Sequence, residues 1–271
     1  MVEQSKIIKY YTEDEDEHNR LIKGSARLER IRTESILSRF LPEPPSIIVD
    51  VGGGTGVYSF PLAKRGYIVH LIDLVPNHIE KAKSVDKITK NHLASIRVGD
   101  ARDIKMDDNI ADVVLFLGPL YHITDRKDRV KALREAYRIL KPGGLVFAVG
   151  ISRFASFIDG ISGGYVKDPD FLSIVKQDLE NGQHRNPKNK PYYFTTAFFH
   201  TPAELRGEVE EVGFKMRSEL AIEGPAWITG YFDEYWKNTR LRRSIISFIE
   251  KVEGESSLLG ASAHMMMIAM K

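Results

Sequence analysis

The sequence predicts an α/β fold: a doubly wound, mostly parallel sheet of seven strands with a helical and aromatic cap. Short apolar runs rich in β-branched residues, typical of buried strands, alternate with amphipathic stretches typical of helices. A run of glycines directly follows the first strand, in the stretch SIIVDVGGGTGVYSFPLAKRGYIVHLID over residues 46–73. Polar or glycine-rich residues also follow the next three strands, at the edge where open parallel sheets bind their ligands. We therefore expect a ligand site at that edge.

The elements follow in order along the chain. A helical stretch over 18–40, broken at Gly24, leads through a proline-rich linker at 41–45 into the first strand. Apolar runs predict strands at 47–51, 68–72, 95–98, 111–117, 145–151, 213–222 and 264–270. Helical periodicity, with proline at several helix starts and glycine at helix ends, predicts helices at 57–64, 76–85, 125–140, 154–158, 169–179 and 201–212.

Three segments interrupt this alternation, so the chain is expected to have two parts. The expected core consists of residues 42–151, 201–224 and 257–271. The segments expected to fold over the ligand edge as a cap are 1–41, 152–200 and 225–256. The aromatic content of the cap favours an apolar or ring-bearing ligand beneath it.

The chemistry of the glycine turn follows from its residues. Glycines permit positive φ and close approach of a ligand, and the helix beyond them presents free N–H groups. Asp73, at the tip of the second strand, can accept hydrogen bonds from both hydroxyls of a ribose, so the turn suits an adenine nucleoside. A dinucleotide fingerprint would need a glycine where Val57 stands, and a phosphate-binding loop would need a lysine in this turn.

The spacing of the turn resembles that of a known family. Asp50-Val51-Gly52-Gly53-Gly54-Thr55-Gly56 is similar to motif I of the class I S-adenosylmethionine (SAM) methyltransferases, which have a Rossmann-like fold. The LKPGG turn at 140–144 is also typical of that family, and the resemblance covers residues 46–151. It implies an enzyme that binds SAM and releases S-adenosylhomocysteine. By position, the cofactor-binding residues would be Asp50, Gly52, Gly53, Gly54, Asp73, Leu74, Asp100, Ala101, Arg102, Leu117 and Gly118.

The resemblance assigns separate roles to some of these residues. Asp73 matches the acid that binds the ribose. Asp100 and Ala101 follow the third strand, where members of the family meet the adenine amino group and ring. Leu117 and Gly118 carry over by position only, as backbone that faces the cofactor. The resemblance is therefore specific for the cofactor and silent on the methyl acceptor.

Tyr121 and His122 are the candidates for catalysis, because they follow the turn where methyl acceptors approach. Histidine is the side chain best suited to take a proton near neutral pH. The alternative is that His122 caps the next helix or packs against the adenosine. Arg27, Arg30 and Arg32 lie on a helix that could cover the methionine carboxylate, although a solvated helix face explains them more simply.

Composition excludes several other functions. The 271 residues include no cysteine, which excludes disulfides, thiolate metal sites and a cysteine nucleophile. The eight histidines show no H-x-x-x-H or H-x-H pairing, so we expect no metal. The net charge of +2 makes nucleic acid an unexpected partner. No long apolar run or apolar signal core is present, so we expect a cytoplasmic protein without a membrane partner.

These observations favour a SAM-dependent methyltransferase that acts on an O, N or S atom of a small molecule. An RNA or DNA methyltransferase is one alternative. The absence of cysteine excludes the cytosine-C5 mechanism, and Leu117-Gly118-Pro119-Leu120 lacks the N/D/S-P-P-aromatic turn of amino-directed nucleic-acid enzymes. A SAM-binding regulatory protein without turnover is the other alternative. The sequence leaves the acceptor and a homodimer open.

Overall fold

A computed structural model describes residues 8–11, 24, 26–190 and 192–271 of the chain. The helix expected over 18–40 is confirmed from residue 26 onward as α1 (Ala26–Phe40). The part of that expectation that covers residues 18–23 and 25 lies outside the described residues, as does most of the expected cap segment before α1. Residues 8–11 form one further helical turn.

The remaining elements alternate as the sequence predicts. The helices are α2 (Ser59–Lys64), α3 (Pro76–Asp86), α4 (Pro119–His122), α5 (Arg126–Ile139), α6 (Ala155–Ser162), α7 (Pro169–Asn181), α8 (Pro202–Glu211), α9 (Phe232–Lys237) and α10 (Thr239–Val252). The strands are β1 (Ile47–Val51), β2 (Ile68–Asp73), β3 (Ser95–Val98), β4 (Ala111–Phe116), β5 (Leu140–Ser152), β6 (Gln183–His184), β7 (Ala197–His200), β8 (Lys215–Ala221) and β9 (His264–Met270). Short 3₁₀ turns cover Tyr165–Lys167, Gly224–Ile228 and Ser256–Ala261.

The described strands form one mostly parallel sheet. Strands β3, β2, β1, β4 and β5 lie side by side in parallel, with β1 in the middle. Strand β9 pairs antiparallel with β5 and also with β8. This arrangement confirms the doubly wound sheet and the strand predicted at 264–270. Because β1 and β4 are neighbours although β2 and β3 come between them in sequence, the chain reverses direction across the sheet at that point, which opens a crevice at their carboxyl ends.

The sheet has two strands more than the seven that the sequence predicts. Strand β7 pairs in parallel with the end of β5, and the two-residue β6 pairs antiparallel with β7. Both come from residues 152–200, so part of the expected cap segment adds to the sheet. Strand β6 is too short to give a periodic signal. The apolar run Ala197-Phe198-Phe199 of β7 directly follows a polar and aromatic loop, so the sequence does not distinguish the strand from the loop.

Each strand of the sheet centre buries side chains on both faces. On β4, Val113 and Leu115 pack into one core cluster, while Val114 and Phe116 pack into the other. The same alternation holds on β9, where the three methionines at 265–267 are fully buried, which confirms them as core residues. This is why these strands appear in the sequence as continuous apolar runs without polar alternation.

The arginines of α1 bind carboxylates within the fold, so the structure does not support a role in covering a methionine carboxylate. Arg32 is fully buried and pairs with Glu253 and with Glu250, which fixes α1 against the end of α10. Arg27 pairs with Asp233 in the first turn of α9, and Arg30 pairs with Glu34 one turn further along α1.

Candidate functional site

A cavity of about 440 Å³ opens at the carboxyl ends of β1, β2 and β4. Its walls come from the glycine turn, from the ends of these strands, and from α1 and the helical turn at residues 8–11. All of the residues proposed from the sequence line it: Asp50, Gly52, Gly53, Gly54, Asp73, Leu74, Asp100, Ala101, Arg102, Leu117, Gly118, Tyr121 and His122. The structure therefore brings these residues together, while their individual roles stay predictions.

The glycine turn has a shape that side chains would block. Gly52 has a φ of 72°, and a Cβ at this position would lie 2.5 Å from the Cγ of Pro119. A Cβ on Gly53 would lie 2.5 Å from the carboxylate of Asp50 and from Leu71. Glycine is required at both positions, and the backbone of the turn itself forms the cavity wall.

Asp73 holds the glycine turn in place. One carboxylate oxygen accepts a hydrogen bond from the backbone N–H of Gly54 at 2.8 Å. The other accepts from the N–H of Val75 at 2.8 Å and lies 3.2 Å from Nδ1 of His78. A carboxylate has about four acceptor positions. One acceptor position therefore remains, which fits a hydrogen bond from one ribose hydroxyl rather than from both hydroxyls as the sequence suggests.

Asp50 carries a buried oxygen that fits a cationic ligand. Its Oδ2 accepts a hydrogen bond from the hydroxyl of Ser59 at 2.6 Å, whereas its Oδ1 has no hydrogen-bond partner among the described residues. Burial raises the pKa of Asp50 to about 6; the Ser59 hydrogen bond opposes this shift and the charge of Asp73 adds to it. A buried acceptor without a donor is costly, and the ammonium of the methionine part of SAM would supply that donor.

Asp100 and Arg102 shape the end of the cavity expected to hold adenine. The guanidinium of Arg102 donates to both oxygens of Asp100, at 2.7 Å from Nη2 and 3.0 Å from Nε. It also pairs with Asp128 of α5. The guanidinium of Arg102 therefore binds two carboxylates and fixes the orientation of Asp100. Both residues of this ion pair line the cavity.

His122 lines the cavity and is surrounded by aromatic side chains. Its Nε2 is 2.7 Å from the hydroxyl of Tyr11. The rings of Tyr11, Tyr121 and Phe194 have centroids 5.3, 4.7 and 5.7 Å from the His122 ring. We call these three rings the aromatic enclosure. Tyr11 and Phe194 were not proposed from the sequence, since each lies more than 70 residues from His122 in a segment without a recognisable motif.

Phe194 is held in the enclosure by a strained loop. Tyr192 and Phe194 have φ values of 74° and 54°, a region that bulky residues rarely adopt. The loop is fixed by hydrogen bonds to its carbonyls: His184 Nε2 lies 2.8 Å from the oxygen of Tyr193, and the amide of Asn186 donates to that of Phe194 at 3.1 Å. Strain maintained by such contacts is characteristic of functional sites.

A carboxylate–histidine cluster lies beside the enclosure. Nδ1 of His264 is 2.6 Å from Glu223 and 4.0 Å from Glu29, which lines the cavity. These three residues could reach one metal ion. Glu223, however, also accepts from the hydroxyl of Ser262 and the N–H of His264. Burial opposes ionisation of Glu223, yet His264 and these hydrogen bonds lower the pKa of its carboxyl group. Because hydrogen-bond donors already occupy this carboxylate, we assign no metal to the cluster.

The comparisons agree with this geometry. Residues 49–148 match the family described as a methyltransferase domain. A SAM-dependent methyltransferase of solved structure from Methanosarcina mazei superposes with a TM-score of 0.60 at 21% identity, over 87% of this chain and 96% of that one, which shows the fold. This central part of the chain therefore matches a methyltransferase domain, and the chain has the fold of the Methanosarcina protein.

Two named relatives share this central part. The 2-methyl-6-phytyl-1,4-hydroquinone methyltransferase of Arabidopsis thaliana is 31% identical over 137 residues, 47% of this chain and 39% of that protein. The ubiquinone/menaquinone biosynthesis C-methyltransferase of Ruegeria is 30% identical over 140 residues, 51% of this chain and 54% of that protein. The matched part spans about half or less of each relative's length.

No helix in the described part of this chain is long and apolar enough to cross a membrane.

Replacing Asp73 by asparagine tests the ribose contact. The amide keeps the shape of the side chain but loses the charge, and hydrogen bonds to a charged group are worth roughly 1.5–3 kcal/mol. S-adenosylhomocysteine should therefore bind about ten- to a hundredfold more weakly in calorimetry. Asp86→Asn is the matched control, because Asp86 also accepts from a backbone N–H and lies near a histidine, but outside the cavity. Unchanged affinity in folded Asp73→Asn would remove Asp73 from the cofactor site.

The raised pKa of Asp50 gives cofactor binding a pH dependence. Below about pH 6 the carboxyl is protonated, so SAM affinity should fall by about tenfold per pH unit as the pH decreases further. The stability of the ligand-free protein should depend on pH in the opposite direction. Because the pKa of Asp50 is raised in the folded state, the free energy of unfolding should increase as the pH falls through about 6 and decrease as the pH rises. Calorimetry across this range should show a flat profile for Asp50→Asn. A flat profile in the unsubstituted protein would contradict the assignment.

Proposed function

We propose that this protein is a SAM-dependent methyltransferase that acts on a small aromatic acceptor with a ring hydroxyl. The observation that carries the proposal is the Tyr11–His122 hydrogen bond inside the aromatic enclosure, since both residues line the cavity. Aromatic walls suit a flat acceptor, and a histidine at hydrogen-bond distance from a phenol suits a proton that must move.

A ring carbon is our first choice for the atom that receives the methyl group. Expectations from the sequence considered O, N and S. Both relatives are named for hydroquinone or quinone chemistry, and the Ruegeria protein is named as a C-methyltransferase. Removing the proton from a ring hydroxyl increases electron density at the adjacent ring carbons. A base beside an aromatic acceptor thus serves carbon methylation as well as oxygen methylation.

The mechanism assigns distinct tasks to the residues of the chain. Bound SAM would supply a methyl group already activated by its sulfonium. Asp73 and Asp50 would hold the ribose and the ammonium, and the aromatic walls would exclude water and align the acceptor, which is mainly catalysis by orientation. His122 would take the hydroxyl proton while Tyr11 orients its ring. The methyl group would pass to the ring carbon as its bond to sulfur breaks, the proton on that carbon would be lost to water to restore aromaticity, and His122 would return the first proton to the ring oxygen.

Two alternatives remain distinguishable by experiment. An RNA methyltransferase would use a basic surface, and α10 carries three arginines close together, Arg240, Arg242 and Arg243. Arg242 instead lies over the ring of Trp236 at 5.7 Å, as part of the packing of α9 on α10.

A SAM-binding regulator would bind cofactor without transferring its methyl group. The division into core and cap, a cytoplasmic location and a homodimer stay predictions from the sequence.

Replacing His122 by glutamine tests the role of the base. With labelled SAM and a panel of hydroquinones, kcat should fall by about 10²–10⁴-fold, while the affinity for S-adenosylhomocysteine stays nearly unchanged. Tyr11→Phe is the companion variant: it removes the 2.7 Å hydrogen bond but keeps the ring, so we expect a smaller loss of kcat.

Two results would contradict this account. If His122→Gln keeps nearly full kcat, His122 is a packing residue and the acceptor needs no base. If label from SAM enters only RNA from cell extract, the acceptor is not a small molecule.

A further inference from the structure

A second cavity, of about 130 Å³, lies on the other side of Phe194 from the aromatic enclosure. Most of its wall is aromatic, with contributions from Phe171, Tyr192, Tyr193, Phe194 and Trp227. One carboxylate, that of Asp159 on α6, also lines it. A volume of this size holds several water molecules or one compact polar group of a ligand.

The carboxylate of Asp159 has no partner among the described residues. Neither a hydrogen-bond donor nor a cation reaches it; the hydrogen bonds made by this residue use its backbone carbonyl. Burial raises the pKa of its carboxyl group. Nearby acids differ: Asp170 pairs with Lys188 and Lys190, and Asp178 accepts from Ser156 and pairs with His184. Asp159 is therefore the uncompensated negative charge of this wall.

The ring of Trp227 is fixed for contact with a ligand, because its indole N–H donates to the carbonyl of Ala261 at 2.9 Å. Tyr193 already binds one cation through its ring, since the ammonium of Lys190 lies 5.7 Å from the ring centroid. The ring nitrogens of His184 face Asp178 and the carbonyl of Tyr193, both at 2.8 Å. Both ring nitrogens of His184 are therefore already engaged within the fold.

These features select one class of ligand. Aromatic faces attract cations that give up their water easily, and a partly desolvated carboxylate strengthens that preference. A hard metal ion would need several oxygen ligands, and this wall offers one carboxylate. A neutral ligand would leave the charge of Asp159 without a counterion.

We propose that the second cavity binds an alkylammonium group, with Asp159 as the counterion and the rings of Tyr192, Tyr193 and Trp227 as its walls. Phe194 lines this site and is also one of the three rings of the aromatic enclosure, 5.7 Å from the ring of His122. An ammonium group bound here would therefore contact a side chain that also packs against His122. The site exists independently of methyl transfer, so it can be tested even if the proposed reaction is wrong.

Calorimetry or NMR titration of the full chain with choline tests the site. The comparison ligand is 3,3-dimethyl-1-butanol, which has the same shape with carbon in place of the cationic nitrogen. Choline should bind saturably, and the neutral ligand at least about tenfold more weakly. Asp159→Asn should lose about tenfold in choline affinity and keep its affinity for S-adenosylhomocysteine, which reports correct folding. Asp170→Asn is the matched control, since its carboxylate is paired nearby, and it should bind choline normally.

Equal binding of the two ligands, an unchanged affinity in Asp159→Asn, or no saturable binding of choline would each overturn the proposal. Kinetics distinguishes the two sources of an ammonium group once an acceptor is in hand. If choline raises the KM of the acceptor, the group belongs to the acceptor itself. If choline changes kcat at constant KM, the site takes a separate ligand.

Discussion

The hydrogen bonds of Asp73 are the interaction on which the site depends. Through Gly54 and Val75, this one carboxylate joins the glycine turn after β1 to the start of the helix after β2. The left-handed backbone of the turn is maintained by these bonds and by the absence of side chains that would clash with Pro119 and Asp50. The expected cofactor contacts thus depend on how two neighbouring parallel strands end. A change that disturbs these strand ends should therefore also disturb the site.

The glycine turn and the aromatic enclosure have different structural origins. The glycine turn is formed at strand termini whose positions the parallel sheet determines. The enclosure depends on Tyr11 and on Phe194, whose ring packs against His122 from a loop attached to the extra strands β6 and β7. Pairing of β7 with the end of β5 anchors that loop, and ion pairs of Asp168 and Lys190 hold its outer side. Acceptor choice can therefore change through this segment while the cofactor site stays constant.

The grouping of the glycine turn with Asp73 could be predicted from the sequence because these residues are local. Asp50 through Gly56 and Asp73 belong to one β-turn-α-β unit, whose spacing fixes their geometry before any tertiary contact forms. The long-range parts were not predictable in this way. Glu29, Glu223 and His264 meet through the packing of α1 against the ends of β8 and β9, and their separation in sequence leaves no periodic or motif signal. Strand β6, two residues long, exists only because β7 provides a partner.

The position of the transferred methyl group tests the central claim most directly. The protein is incubated with SAM labelled with ¹³C in its methyl group and with a substituted 1,4-hydroquinone, and the product is examined by carbon NMR. Our account predicts that the label is bonded to an aromatic carbon beside a ring hydroxyl. Label found as a methoxy group would move the acceptor atom to oxygen, and the absence of label in any hydroquinone would contradict the proposed acceptor class.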